Sequence, residues 1–143
     1  MAVTIRDAGP RDAPALVELV GQLGYPASAE QLVARLARLA GSSEDRCVVA
    51  ELEGELVGLA SIHTSLSVVH DRPAAKLSAI VVGERHRGRG IGQALVAALE
   101  AEARARGCHV LFLTTAEHRA GAHAFYRRLG FAETGRRFAK QLG

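Results

Sequence analysis

The sequence predicts an α/β protein in which helices flank a single mixed, mostly antiparallel twisted sheet. Apolar strand-like runs and segments of helical periodicity follow one another along the whole chain. A glycine-rich turn near the middle joins a strand to a helix, as in many α/β units. No internal repeat, low-complexity tract or linker interrupts the 143 residues, so we expect residues 1–143 to form one domain.

The first part of the chain predicts a short strand over residues 2–6, followed by two amphipathic helices. Asp12 is the cap candidate of the first helix, whose leucines recur at helical spacing. The second helix begins at Ser28, where Gln31 three residues later gives a capping-box pattern, and Gly41 ends it. Two helices are therefore expected before the main part of the sheet.

The middle of the chain predicts antiparallel strands. The runs "RCVVAEL" and "ELVGLASIH" flank Glu53-Gly54, a pair typical of a tight hairpin. After a less regular stretch, the strand "KLSAIVV" leads directly into the glycine-rich turn "ERHRGRGIG".

The last part predicts a long helix in "IGQALVAALEAEARARG", with Gly107 as its stop. A buried strand, "HVLFLTT", and a helix, "RAGAHAFYRRLG", come next. A hairpin-like pair of strands is expected in "FAETGRRFAKQL". The full predicted order is β-α-α-β-β-β-α-β-α-β-β.

Composition excludes several classes of protein. No apolar stretch approaches the roughly 20 residues of a membrane span, and the N-terminus lacks a secretory signal, so we expect a cytoplasmic protein with no membrane partner. The net charge of +3 comes almost wholly from arginine, because Lys76 and Lys140 are the only lysines. Scarce lysines and 4% aromatic residues argue against nucleic acid as a partner.

The two cysteines, Cys47 and Cys108, lie beside apolar runs without a second Cys or a paired His at metal-ligand spacing. We expect buried, reduced thiols and no metal site.

The turn "ERHRGRGIG" has the order of a general anion site, in which a strand leads through glycines to the N-terminus of a helix. Its glycines lack the Cβ atoms that would keep a phosphate from the backbone, and its arginines add positive charge. The spacing fits neither the Walker pattern nor G-x-G-x-x-G, and leaves R-x-x-G-x-G from Arg87 through Gly90 to Gly92. A surface turn with solvated arginines is the alternative interpretation.

This motif resembles the acetyl-CoA motif of the GCN5-related N-acetyltransferases (GNAT), [QR]-x-x-G-x-[GA] after a central strand. The resemblance covers most of the chain, including "LSAIVVGERHRGRGIGQALVAALEAEA" and, later, "AHAFYRRLGF", which looks like the second signature of the family. It implies the GNAT fold, an acyltransferase activity and acetyl-CoA as co-substrate.

The resemblance also implies which residues bind acetyl-CoA. Ile80, Val81 and Val82 would pair with the pantetheine arm through backbone groups. The pyrophosphate would be held along the turn by Arg87, Gly88, Arg89, Gly90, Ile91, Gly92 and Gln93. Arg119 stands where many members have an asparagine near the cofactor. Three neighbours either line the CoA groove or face solvent: His118, His123 and Arg127.

Acetyl transfer to an amine needs a neutral nucleophile, a polarised thioester carbonyl and a proton donor for the departing thiolate. The resemblance assigns the proton donor to Tyr126, for which core packing is the alternative. Many members place a carboxylate base on the central strand, yet no Asp or Glu lies between Asp71 and Glu84. This absence leaves the identity of the base open.

His63 and Ser78 are the nearest substitutes for the base, since either side chain can hold a water that relays the proton. A hydrogen-bonded histidine without a catalytic role is an equal interpretation of His63. His70 and Glu51 are lesser candidates.

Within the family, the chain resembles small-amine acetyltransferases of the aminoalkylphosphonate and aminoglycoside kinds. The aminoalkylphosphonate enzymes carry glutamates where this chain has Lys76 and Ala79, so their specificity is not carried over. We expect acetyl transfer to a primary amine of a small molecule by direct attack in a ternary complex. A protein N-terminal or lysine acetyltransferase and a catalytically silent acetyl-CoA sensor are the alternatives. The bias toward arginine and alanine suggests a bacterial source. The resemblance implies that the protein can form a homodimer.

Overall fold

The computed structural model describes residues 2–115 and 120–143 and contains five strands and four helices in that part of the chain. The strands are β1 (Thr4–Asp7), β2 (Asp45–Leu52), β3 (Glu55–Ser67), β4 (His70–Val82) and β5 (Val110–Phe112). The helices are α1 (Ala13–Leu23), α2 (Ala29–Ala40), α3 (Ile91–Ala105) and α4 (Ala120–Arg128). Short 3-10 turns precede α1 and follow β4.

The strands form one mixed sheet in the order β1-β2-β3-β4-β5. Strands β1 to β4 pair antiparallel, and β5 joins the edge of β4 in parallel. The β3–β4 hairpin is longer than predicted, because the less regular stretch of sequence extends β3 to Ser67 and starts β4 at His70. The predicted mixed sheet flanked by helices is confirmed.

Local sequence signals explain several element boundaries. The Ser28 hydroxyl accepts a hydrogen bond from the Gln31 N–H, and the Gln31 side chain accepts one from the Ser28 N–H, as the capping box predicts. Glu53 and Gly54 both have positive φ, 51° and 81°, which suits a two-residue hairpin turn between β2 and β3. Gly107, with a φ of 77°, follows α3.

Two hydrophobic layers hold the helices on opposite faces of the sheet. Helices α1 and α2 cover one face, where their leucines pack on Val49, Leu59 and Val81. Helix α3 covers the other face and buries Leu95 and Leu99 completely. Within the described residues, no helix combines the length and apolar character needed to cross a membrane.

The predicted closing hairpin is not formed. Residues 131–143, all of which the structure describes, adopt neither helix nor strand, and residues 132–143 are exposed. Phe131 packs against the α3 layer, whereas Phe138 and Leu142 are each 93% exposed. Because the segment has few apolar side chains, its burial would contribute little free energy, and its backbone N–H and C=O groups stay hydrogen-bonded to water. The prediction of two further strands is therefore wrong for this structure.

Asp12 lies at the N-cap position of α1, as predicted, but its carboxylate makes no cap hydrogen bond to the helix. It instead accepts two hydrogen bonds from the guanidinium of Arg6 on β1, at 2.9 and 3.0 Å, and one from the Gly9 N–H. The Arg6 hydrogen bonds, helped by Gly9, outweigh the effect of burial and hold the pKa of Asp12 below its ordinary value. This pair ties α1 to the edge of the sheet.

Replacing Asp12 by asparagine is expected to lower the free energy of unfolding at pH 7 by about 1–3 kcal/mol, since Asp12 is buried but Arg6 is partly exposed. Because the folded pKa is lowered, the stabilisation is present at neutral pH and is lost as the pH falls below about 4. Urea unfolding of both proteins at several pH values measures this difference. Asp71→Asn, at an exposed carboxylate, is the control; an equal loss there would contradict the assignment.

Candidate active site

The turn between β4 and α3 has the geometry of an anion cradle. Gly88 and Gly90 have φ values of 78° and 81°, in the left-handed region that favours glycine. A Cβ built on either residue would meet nothing within 4 Å, so both face open space. Gly90 is the N-cap of α3, and no side chain caps the helix there. The N–H groups of the first turn are therefore available to an anion, and the site fits a pyrophosphate.

The side chains of the turn differ in how far they are exposed to solvent. Arg87 is exposed, and its Nε donates a hydrogen bond to the Val82 carbonyl at 3.1 Å, which fixes the turn against the end of β4. Arg89 and Gln93 are exposed beside the cradle, as a phosphate-binding role requires. Ile91, by contrast, is 3% exposed and packs in the α3 layer, so only its backbone is available to a ligand.

Gly92 has a structural role that the sequence did not reveal. It is buried, and a Cβ at this position would lie 2.8 Å from the Phe125 Cζ and 3.5 Å from the Val82 Cγ2. The absence of a side chain thus lets the Phe125 ring of α4 approach the first turn of α3. This contact positions α4 beside the cradle.

Replacing Gly92 by alanine is expected to destabilise the fold by about 1–3 kcal/mol, because the methyl group and the Phe125 ring cannot both occupy this space. Phe125→Leu in the same chain should recover part of the loss by removing the ring edge. Thermal unfolding of the two single variants and the double variant measures the coupling. Strictly additive effects would contradict a direct contact.

The edge of β4 is open next to the cradle. Strand β5 pairs with β4 only from Ala74 opposite Val110 to Lys76 opposite Phe112. Beyond Phe112, β5 ends while β4 continues to Val82. The described residues therefore leave the β5 side of 78–82 without a strand partner. Such an edge can bind an extended ligand through backbone hydrogen bonds.

The residues predicted to contact pantetheine lie on this open stretch of β4. Val81 is buried under α1 and α2, while Ile80 and Val82 face the α3 layer, so their side chains serve the core. Their backbone groups are the ones that remain for a ligand at the edge, and contact with pantetheine there stays a prediction.

Ser78 occupies a β-bulge at the start of the open edge. Ser61 of β3 pairs with Ala79, and the next residue, Ile62, pairs with Leu77, so Ser78 is the extra residue. It is exposed, and its hydroxyl lies 3.4 Å from the Lys76 carbonyl. The bulge directs Ser78 out of the regular pattern, at the point where β4 and β5 separate.

His63 belongs to a hydrogen-bonded pair with a carboxylate that the sequence analysis missed. Its Nδ1 lies 3.0 Å from the Asp45 Oδ1, and the Ser42 hydroxyl donates to the Asp45 Oδ2 at 2.6 Å. Burial alone would raise the pKa of Asp45, but the hydrogen bonds from Ser42 and His63 lower it below its ordinary value. A carboxylate bound to Nδ1 orients the ring and leaves Nε2 as the proton acceptor. The imidazole is half exposed, so solvent reaches it.

Tyr126 lies on α4, partly buried, with its ring 5.5 Å from that of Phe125 and 6.1 Å from that of Phe131. It lines a groove of about 1290 Å³ between β5, α4, the end of α3 and the C-terminal segment. His123 and Arg127 line the same groove. Among the described residues that form it, none belongs to β4, so the groove does not join Tyr126 to Ser78 or His63.

Arg119 and His118, both predicted near the cofactor, lie outside the described residues. The two lesser candidates for the base are separated from the open edge. His70 begins β4 and lies against His109, with ring centroids 4.3 Å apart and the ring planes tilted, and Glu51 accepts a hydrogen bond from Arg6.

Cys47 lies on the same face of the sheet as His63, opposite Ser61 on the neighbouring strand. Burial raises the pKa of its thiol to about 12, and the negative charges of Asp12 and Asp7 add to the effect. The nucleophilic thiolate is therefore scarce at neutral pH. Cys47 is a poor candidate for a covalent acyl intermediate.

Comparison with known proteins gives the same assignment as the motifs. The chain is 33% identical over 139 residues to aminoglycoside N(6')-acetyltransferase type 1 of Stenotrophomonas maltophilia, covering 94% of this chain and 90% of that protein. It is 37% identical over 89 residues to aminoalkylphosphonate N-acetyltransferase of Salmonella typhimurium, covering 62% of this chain and 58% of the relative.

Among solved structures, the aminoglycoside N-acetyltransferase AAC(6')-Iy in complex with CoA superposes with a TM-score of 0.87 at 21% identity, over 99% of this chain and 95% of that one, which shows the fold. The model of the Acetyltransferase (GNAT) family matches residues 14–131. With the cradle, the open edge and this match in agreement, the chain belongs to the GNAT family of acetyltransferases and is an acyltransferase.

Proposed function

We propose that this acyltransferase transfers the acetyl group of acetyl-CoA to a primary amine of a small molecule, by direct attack of the amine in a ternary complex. The observation that carries the proposal is the continuity of two binding features in the described part of the chain, the edge of β4 beyond its pairing with β5 and the N-terminus of α3 without a side-chain cap. Together they offer backbone groups to an extended arm and to a pyrophosphate. Two of the relatives are an aminoglycoside and an aminoalkylphosphonate acetyltransferase, which supports a small acceptor.

The residues of the turn would bind and orient the co-substrate. The N–H groups at Gly88, Gly90 and Gly92 would hold the pyrophosphate, with Arg89 adding positive charge. The backbone of Ile80, Val81 and Val82 would fix the pantetheine arm along β4. When bound, acetyl-CoA supplies a thioester whose carbonyl carbon is open to attack by an amine.

The proton of the amine requires an acceptor, and His63 is our candidate. An amine attacks only in its neutral form, and the Nε2 of His63, oriented by Asp45, accepts the proton directly or through one water. Ser78, at the bulge beside the open edge, is the residue best located to hold that water. Tyr126 donates a proton to the departing sulfur as the C–S bond breaks. His63 takes one proton from the amine as the C–N bond forms, and Tyr126 gives one to the thiolate, so the charges balance.

Calorimetric titration with acetyl-CoA, followed by measurement of CoA thiol release with a panel of amines, tests this proposal. The panel contains aminoglycosides, polyamines, aminoalkylphosphonates and short peptides. We expect saturable binding and release with a small-amine class. Release with peptides alone would favour a protein acceptor, binding without release would favour a silent acetyl-CoA sensor, and absence of binding would refute the proposal.

A further inference from the structure

A row of four side chains crosses the sheet next to the open edge. Asp45 on β2 pairs with His63 on β3, His63 pairs with Lys76 on β4, and Lys76 pairs with Phe112 on β5. Cross-strand partners point to the same face of a sheet, so the four side chains stand side by side. We call these four residues the acceptor row.

The acceptor row lies on the α1/α2 face but beyond the part of it that the helices bury. Those helices pack on Val49, Leu59 and Val81, and none of the four residues of the row belongs to that hydrophobic layer. His63 is exposed, Lys76 is partly buried and Phe112 is 38% exposed. The row is therefore accessible to a small molecule from the face opposite α3.

Lys76 carries a positive charge that the described part of the chain does not balance. Its ammonium makes no ion pair or hydrogen bond with any described residue, although the side chain is partly buried. The acidic member of the row, Asp45, is already bound to His63 and Ser42. A cation on a partly buried side chain, with no partner among the described residues, favours an anion from the ligand.

We propose that the acceptor is a compact amine that also carries a carboxylate or phosphonate, with Lys76 binding that anion while His63 receives the proton of the amine. The inference rests on the proposed function and specifies its substrate class. Because directly opposite residues have Cβ atoms about 5 Å apart, the amine and the anion must be separated by few bonds. Phe112 forms an apolar wall beside Lys76 for the carbon chain between them.

The same row disfavours polycationic acceptors. An aminoglycoside brings several ammonium groups, and those near Lys76 would be repelled by its positive charge. Of the acceptors named for the two relatives above, an aminoalkylphosphonate carries an anion for Lys76 and an aminoglycoside does not. The aminoalkylphosphonate enzymes carry a glutamate where this chain has Lys76, so the proposed contact with Lys76 is particular to this chain.

The experiment compares acceptors that share one amine and differ in charge. We would measure kcat/KM from CoA release at saturating acetyl-CoA with β-alanine, β-alaninamide, 1,3-diaminopropane and 2-aminoethylphosphonate. The two acids are expected to exceed the amide by about tenfold, which is the effect of one hydrogen bond between charged groups, and the diamine should be the poorest acceptor.

Lys76→Met keeps the length of the side chain and removes its charge. It should lower kcat/KM for both acids about tenfold and leave the amide, the KM for acetyl-CoA and the melting temperature unchanged. Lys140→Met, at the other lysine of the chain and exposed in the C-terminal segment, is the matched control and should change none of these values.

The outcomes separate this inference from the proposed function. If the amide and the diamine react as fast as the acids, or if Lys76→Met leaves the preference intact, the assignment of Lys76 is overturned while acetyl transfer to amines stands. If acetyl-CoA binds but no amine is acetylated, both proposals are overturned.

Discussion

Replacing Gly90 by valine is expected to weaken the binding of acetyl-CoA by at least about 100-fold. Gly90 has a φ of 81°, which costs an L-residue roughly 1–2 kcal/mol, and its missing Cβ leaves the cradle open. The valine side chain would keep a phosphate from the N–H groups. Loss of two such hydrogen bonds, at about 1.5–3 kcal/mol each, corresponds to this change in affinity. Calorimetric titration with acetyl-CoA measures it.

Gly107→Val is a matched control for this variant. Gly107 follows the other end of α3, also has a positive φ, 77°, and also has no atom within 4 Å of a built Cβ. Both variants should lose similar stability in thermal unfolding, because the backbone strain is alike. Only Gly90→Val should lose affinity for acetyl-CoA. Equal affinity in the two variants would contradict the role of the cradle in binding.

Replacing Asp45 by asparagine is expected to lower kcat by about 100-fold and to leave the KM for acetyl-CoA unchanged. The carboxylate orients the His63 ring and stabilises the imidazolium that forms when His63 accepts a proton. Without that charge the imidazolium that forms during the transfer is less stable, so the loss should appear in kcat and not in the KM for acetyl-CoA. A merely structural role of Asp45 would instead lower the melting temperature or raise that KM.

His63→Gln and Ser78→Ala distinguish the two candidates for proton transfer. His63→Gln should lower kcat at least as much as Asp45→Asn, whereas Ser78→Ala should cause a smaller loss, since water can still occupy the bulge. The double variant at 45 and 63 should be little worse than His63→Gln alone. A large loss in Ser78→Ala together with a normal rate in His63→Gln would transfer the role of the base to Ser78.

The predictions that succeeded rested on short-range chemistry. The Ser28 and Gln31 capping box and the Glu53-Gly54 turn involve residues within three positions of each other, so a local pattern is enough to identify them. The strand–turn–helix order around the glycines is local in the same sense, whereas the binding of a pyrophosphate there stays a prediction. The closing hairpin depended on a distant partner, and no short-range pattern in residues 131–142 could supply one.

The Asp45–His63 pair shows why the site was harder to predict. Leu52 lies opposite Glu55 at the turn. If the hairpin were regular from there on, Asp45 would lie opposite Ile62. The register shift at Ala50 leaves Val57 as an extra residue of β3 and moves Asp45 opposite His63. Nothing in the local sequence marks that bulge. The contact between Gly92 and Phe125 was equally hidden, since it joins two helices that are far apart in the chain.

The order of the strands in space follows their order in the chain, and this has a consequence for how the protein forms. Each strand emerging from the ribosome finds the edge it needs already synthesised, and the β2–β3–β4 meander closes only short loops. Short loops cost little entropy, so this part can assemble early and quickly. Strand β5 must wait for α3 to cross the sheet, because parallel pairing requires a crossover. We therefore expect the Asp45–His63 pair on β2 and β3 to form first during synthesis. The open edge of β4, next to β5, should be completed last.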